Sequence, residues 1–146
     1  MRVAVQTAPF DPGAEATAFA AGVAEAGAIV TFTGLVRGDG GRIAAMEIEH
    51  YPGMTERAIA AMLDKAAGRW PLLDALVIHR HGRLVPGEPI MMVATAAPHR
   101  GEAFAAAEFL MDWLKSRAPF WKKEIGPGGA EWVAAKDSDE DALTRW

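Results

Sequence analysis

The sequence predicts an α+β fold, a mixed and largely antiparallel sheet with helices packed on it. Three observations carry that expectation. Strand-like and helix-like runs are interspersed without strict βαβ alternation. Two strand-like runs, 28–37 and 42–51, are joined only by GDGG at 38–41, and so short a link suits antiparallel neighbours. The chain has 146 residues, 51% hydrophobic and 23% charged, the size of one domain with a real core. Residues 1–146 are therefore expected to form a single unit.

Each element follows from its residue types. Residues 2–7 read as a short strand. The alanine-rich run 13–26 reads as a helix with a glycine stop. AIVTFTGLVR (28–37) is rich in β-branched and aromatic residues and reads as a strand. In RIAAMEIEHY (42–51), Met46, Ile48 and His50 alternate with Glu47 and Glu49, giving a buried and a wetter face. Pro52 opens a helix to about residue 70, with Ile59, Met62, Leu63 and Ala66 as its apolar stripe. LDALVIHRHG (73–82) is a strand and GRLVPGE (82–88) a turn region. PIMMVATAA (89–97) is a strand apolar enough to be buried on both faces. A long helix runs from about His99 to Arg117 and stops before Pro119. FWKKEI (120–125) is extended, GPGG turns, and EWVAA (131–135) is a last strand. The acidic segment 137–146 is expected to be mobile at its end.

Composition removes several function classes. The net charge is −4, which disfavours binding to duplex nucleic acid through a general basic surface. Residues 137–146 alone carry −3, so a positive pocket elsewhere is compatible with the total. There is no cysteine, so disulfides, thiolate metal sites and a cysteine nucleophile are excluded. No apolar run reaches the ~20 residues of a membrane span. MRVAVQTAPF lacks the apolar stretch of a secretory signal, and a cytoplasmic protein is expected.

The long helix offers the first chemistry. At about 100° per residue, Arg100, Phe104, Met111 and Lys115 share one narrow stripe. The cations there either snorkel from an apolar stripe or mark the corners of a pocket. His99 and Arg100 stand at the helix start, where free N–H groups attract anions, and Arg100 adds a fork suited to phosphate. His99 serves equally well as a local cap. Arg37 ends a strand before a glycine turn, which also fits a plain exit to solvent. LKSRAPFWKKE (114–124) mixes four cations with Phe120 and Trp121. In an extended segment Phe120 and Lys122 share one side, Trp121 and Lys123 the other. One lysine must follow an aromatic inward, and local sequence leaves open which. A lysine held in an apolar wall near other cations loses proton affinity and can act as acid, base or nucleophile. His79 and His81 alternate on one strand, but no H-E-x-x-H motif or placed carboxylate completes a metal site, and no metal or cofactor is expected. There is no obvious carboxylate pair, G-x-S-x-G or P-loop.

Ordered blocks then carry a resemblance: FTGLVRG (32–38), EIEHYPGMTERA (47–58), RWP (69–71), VIHRHGRLVPGE (77–88), APHRGEAF (97–104), MDWLKSRAPFWKKE (111–124) and EWV (131–133). Together they resemble the large, catalytic subunit of molybdopterin synthase, from about residue 30 to 136. The resemblance implies an α/β-hammerhead type of fold and a sulfurtransferase of molybdenum cofactor biosynthesis. Its implied substrate is cyclic pyranopterin monophosphate, which gains two sulfurs to become molybdopterin. The sulfur comes from the C-terminal Gly-Gly thiocarboxylate of a small ubiquitin-like subunit. Two large subunits form a central homodimer within a heterotetramer. The implied catalytic residues are Lys115 and Lys122, with Lys123 outward or supportive. The residues fit such a substrate: Phe32 and Met111 are candidates for an apolar wall against the pterin, and Arg37, His99 and Arg100 supply cations for the phosphate. Lys136 falls near a basic position that helps line the neighbouring subunit's pocket. His81 departs from a position more often aliphatic. Two other readings stay open from the residues: an anion-binding module without chemistry, which would not require a lysine pair in an apolar pocket, and a histidine-based metal hydrolase, which elemental analysis would reveal.

Overall fold

In the computed structural model, which describes residues 1–146, the chain forms β1 (Arg2–Gln6), α1 (Pro12–Ala21), β2 (Ala28–Leu35), β3 (Ala45–His50), α2 (Met54–Arg69), β4 (Asp74–Arg80), β5 (Gly82–Leu84), β6 (Pro89–Ala97), α3 (Arg100–Ser116), β7 (Phe120–Gly126), β8 (Gly129–Trp132) and α4 (Asp137–Ala142). Single turns of 3-10 helix lie at Asp39–Gly41 and Leu143–Arg145. The class is α+β, and the strands divide into two four-stranded sheets. One runs β1-β4-β6-β2, the other β5-β3-β7-β8. Every pairing is antiparallel except β1 with β4.

The division of the sheets corrects one expectation. Strands 28–37 and 42–51 are not partners: β2 pairs with β6, and β3 pairs with β5 and β7. A hairpin needs both ladders to run up to the turn. Here the β2 ladder shifts register at Gly34/Leu35 and stops, and residues 36–44 carry the chain to the second sheet. The 82–88 region is likewise more than a turn. Gly82–Leu84 forms β5 against Met46–Ile48, a strand too short to show a period.

The main core lies between the sheets. Val77 and Val93 of the first sheet meet Ile48 and Leu84 of the second. The stripe of α2 (Ile59, Leu63, Ala66) and Phe109, Leu110 and Leu114 of α3 complete it. A smaller core covers the other face of β4 and β6, where Leu76, Ile78, Met92 and Ala94 pack with Phe19 and Val23. Both strands are therefore buried on both faces, as the unbroken apolar run of β6 foretold. α1 begins with Asp11 accepting the Ala14 N–H at 3.1 Å and with proline in its first turn.

The acidic segment is folded rather than mobile. Trp146 packs edge-on against Trp70 and Phe109, with ring centroids 5.7 and 5.5 Å away. Its indole N–H donates to Asp112 at 2.7 Å, and its carbonyl accepts from Arg69 at 2.9 Å. Arg145 bridges Glu108 (2.6 Å) and Asp112 (2.8 Å) on α3, and Ser116 donates to the Asp139 carbonyl at 2.8 Å. The run of acids looked like a solvated end because its anchor is a single tryptophan. Replacing Trp146 with alanine is expected to cost about 2–4 kcal/mol, since a partly buried aromatic and one charge-assisted bond are lost. Urea unfolding measures it, and an unchanged midpoint would show that the anchor contributes nothing.

Candidate active site

One cavity of about 570 Å³ gathers most of the residues singled out from the sequence. Its walls come from four places. β2 and its exit give Phe32, Gly34 and Arg37; β3 and β6 give Met46, Ile90 and Met91. The end of α3 and the start of β7 give Leu114, Lys115, Phe120, Lys122 and Glu124. The segment after β8 gives Val133, Lys136 and Asp139.

Local structure explains each placement. Lys115 sits in the last turn of α3, where exposed carbonyl ends favour a cation. β7 pairs with β3 so that Lys122 lies opposite buried Ile48 and Lys123 opposite Glu47. Strand alternation then splits the lysines. Lys122 lines the cavity, while the Lys123 ammonium lies 4.7 Å over the Trp132 ring on the far side. Gly34 helps to keep the cavity open: a Cβ there would come within 3.1 Å of the Met91 side chain.

The electrostatics favour an anion. Arg37, Lys115, Lys122 and Lys136 face two carboxylates, Glu124 and Asp139. Glu124 is already paired with Arg42 at 3.0 Å. Burial pushes the Lys122 ammonium down to about 8, Lys115 and Lys136 push the same way, and Asp139 opposes them. Lys122 therefore exchanges a proton near neutrality.

Behind Lys122 lies His79, which the sequence suggested only as a metal candidate. Its ring stacks on Phe120 with centroids 3.7 Å apart. Its Nδ1 lies 2.8 Å from the Arg80 carbonyl. A carbonyl only accepts, so Nδ1 carries the hydrogen. Burial, then Lys122, lower its pKa to about 3, so the ring stays neutral. His81 has a local partner in His50, with ring centroids 4.2 Å apart. No three His, Asp or Glu side chains are grouped so as to hold a metal.

Three predicted residues stand outside this cavity. His99 occupies the cap position of α3 but makes no side-chain cap bond. Arg100 begins α3, about 22 Å from Lys115 by helical rise. The angular stripe that grouped them ignores position along the axis. Met111 packs against the main core, and Met46 and Met91 are the methionines in the cavity wall. Lys136 lines the cavity of its own chain. Met91 was hidden inside a uniformly apolar strand, and Asp139 inside an acidic run.

The profile of the MoaE protein family matches residues 5–117. The chain belongs to the MoaE family. The molybdopterin synthase catalytic subunit of Cereibacter sphaeroides is 75% identical over 146 residues, covering 100% of both chains. The molybdopterin biosynthesis MoaE protein of Burkholderia ambifaria superposes with a TM-score of 0.84 at 51% identity, covering 99% of this chain and 96% of that one. A protein–protein complex of subunits 1 and 2 of molybdopterin-converting factor from Helicobacter pylori shares the fold, with a TM-score of 0.77 at 18% identity over 92% and 90% of the chains. The MoaE chain is thus an enzyme of molybdenum cofactor biosynthesis, of the molybdopterin synthase catalytic-subunit type. No helix in it is long and apolar enough to cross a membrane.

Proposed function

We propose that this chain converts cyclic pyranopterin monophosphate to molybdopterin, taking two sulfurs from the C-terminal thiocarboxylate of a small ubiquitin-like subunit. The observation that carries the reading is Lys122, half-buried beside Lys115 in a cation-rich cavity, with its pKa brought down to about 8. A chain without cysteine cannot hold a persulfide of its own, so the sulfur must arrive on a partner. The two-subunit complex among the structural neighbours is in keeping with such a partner.

In each transfer a carbon–sulfur bond replaces a carbon–oxygen bond of the pterin side chain, whose oxygen leaves, and water then cleaves the acyl–sulfur bond, leaving a carboxylate on the partner. Lys115 moves the proton or stabilises the developing negative charge. Lys122 holds the thiocarboxylate or the phosphate and assists the same step. Phe32 lines the pterin, and Arg37 and Lys136 draw in the anionic phosphate. One transfer leaves a monosulfurated intermediate, and a second charged partner completes the product. His99, Arg100 and Met111 keep the substrate contacts expected of them only if a second copy presents them, since none lines this cavity. A homodimer at the centre of a heterotetramer provides that copy. In this reading all 146 residues act as one cytoplasmic catalytic unit.

The test mixes the chain with cyclic pyranopterin monophosphate and the thiocarboxylated partner and follows the pterin by mass spectrometry. Gain of two sulfurs with opening of the cyclic phosphate is expected. No gain, with the partner bound and its thiocarboxylate intact, would put the anion-binding module first. Arg37→Ala is expected to raise KM for the pterin roughly 10- to 100-fold, the worth of a charge-assisted contact, with kcat less affected. Unchanged substrate affinity would remove Arg37 from the phosphate site.

A further inference from the structure

Arg80, the last residue of β4, is an unusual residue to bury. Only 5% of it is exposed, and a buried guanidinium costs free energy unless it is well paired. Its Nε and Nη2 both donate to the Thr7 carbonyl, at 3.2 and 2.9 Å, beyond the end of β1. Its Nη1 has no hydrogen-bond partner. The carboxylate within reach is Glu88, 3.7 Å away. Such a pair is a poor source of stability, so its use is sought in what it holds still.

Glu88 closes the turn that follows β5. Its carboxylate accepts the Val85 N–H at 2.9 Å, and its own N–H donates to the Val85 carbonyl at 3.1 Å. Gly87 takes φ +89° in that turn, a conformation that suits glycine. The turn in turn serves as the pairing partner of Val36. The Val36 N–H donates to the Glu88 carbonyl at 3.0 Å, and the Gly87 N–H donates to the Val36 carbonyl at 2.9 Å. These two bonds begin where the β2–β6 ladder has slipped, at Gly34/Leu35. The next residue is Arg37, on the cavity wall. A continuous set of contacts thus runs from the end of β4 through Arg80, Glu88 and Val36 to Arg37.

We propose that Arg80 and Glu88 are positioning residues for Arg37: the buried guanidinium and the turn carboxylate fix the 85–88 turn, and the turn fixes the direction in which Arg37 leaves β2. The inference rests on the reading of Arg37 as part of the phosphate site. Without the pair, the turn loses its side-chain closure, and Arg37 spends less time aimed into the cavity. Lys115 and Lys122 stand on other elements and keep their places.

The test is a double-mutant cycle on the full chain with its thiocarboxylated partner, measuring KM and kcat for cyclic pyranopterin monophosphate. Glu88→Ala is expected to raise KM about three- to tenfold and to leave kcat within about twofold. In an Arg37→Ala background the same change is expected to do nothing more. Arg80→Lys, which keeps the charge but loses the fork, should show the same pattern more weakly. An unchanged KM in Glu88→Ala and Arg80→Lys overturns the proposal. So does a Glu88→Ala effect that is undiminished when Arg37 is already alanine, because the turn would then act on something else. If Arg37→Ala itself leaves KM unchanged, the phosphate role of Arg37 fails first and this inference falls with it.

Discussion

Lys115→Ala and Lys122→Ala are each expected to lower turnover by about 10²- to 10⁴-fold while the small partner still binds. Both lysines line the cavity, Lys122 partly buried and Lys115 exposed at it, so removing either changes the cavity wall and leaves the rest of the surface as it was. Single-turnover rates and partner affinity, measured side by side, separate the two effects. Equal loss of both would sink the catalytic assignment. The pH dependence is sharper still. Lys122 is proposed to act as a cation on a thiocarboxylate or phosphate, and its pKa lies near 8 because burial and Lys115 disfavour the charge. Activity should therefore fall as pH rises through about 8. Lys122→Arg keeps the charge at every accessible pH and should remove that alkaline limb, whatever its effect on the maximum rate. A limb that rises through the same range would instead make Lys122 a base.

His79 should make the fold sensitive to acid. In the folded chain its pKa lies at about 3, held down by burial and by Lys122. In the unfolded chain it returns to about 6.5. Below that value the unfolded state binds a proton that the folded state refuses. The stability this group contributes is therefore full above pH 6.5 and declines as pH falls towards 3, by about 1.4 kcal/mol per unit. Between pH 6.5 and 5 the loss is about 2 kcal/mol. His79→Phe keeps a ring against Phe120 but leaves the Arg80 carbonyl without its side-chain donor, at about 1 kcal/mol. The variant should be less stable at pH 7 and lose less on acidification. Urea unfolding at several pH values checks both curves, and parallel curves would show that His79 titrates freely.

How much of this was legible beforehand depended on range. α3 was bounded to within a residue because Pro98 and Pro119 mark its ends and its interior is rich in helix formers. The opposite faces of Phe120/Lys122 and Trp121/Lys123 followed from strand alternation, but which face is inward depends on pairing with β3. That register lies some seventy residues away in sequence, so local reading left it open. The same limit explains the pairing of β2 with β6 instead of β3: a short link suggested a hairpin, and long-range ladders decided otherwise. Arg100 and Lys115 were grouped by angle alone, whereas a cavity also requires closeness along the axis. Lys136 was reached only through the resemblance and Asp139 not at all, because the segment that carries them is held by distant contacts: Ser116 on the Asp139 carbonyl, and Trp146 docked on Trp70 and Phe109.

The order in which the cavity walls occur along the chain has a consequence for synthesis. Phe32 and Arg37 leave the ribosome early, Met91 midway, and Lys115, Lys122, Lys136 and Asp139 late. β7 cannot pair with β3 until the 69 intervening residues, 51–119, have been translated. A nascent chain can thus fold its first sheet, which ends at Ala97, before Lys115 and Lys122 are in place. On the function proposed above, the cavity that takes sulfur from the partner is complete only with the last portion of the sequence, so unfinished chains would have no means to consume activated sulfur.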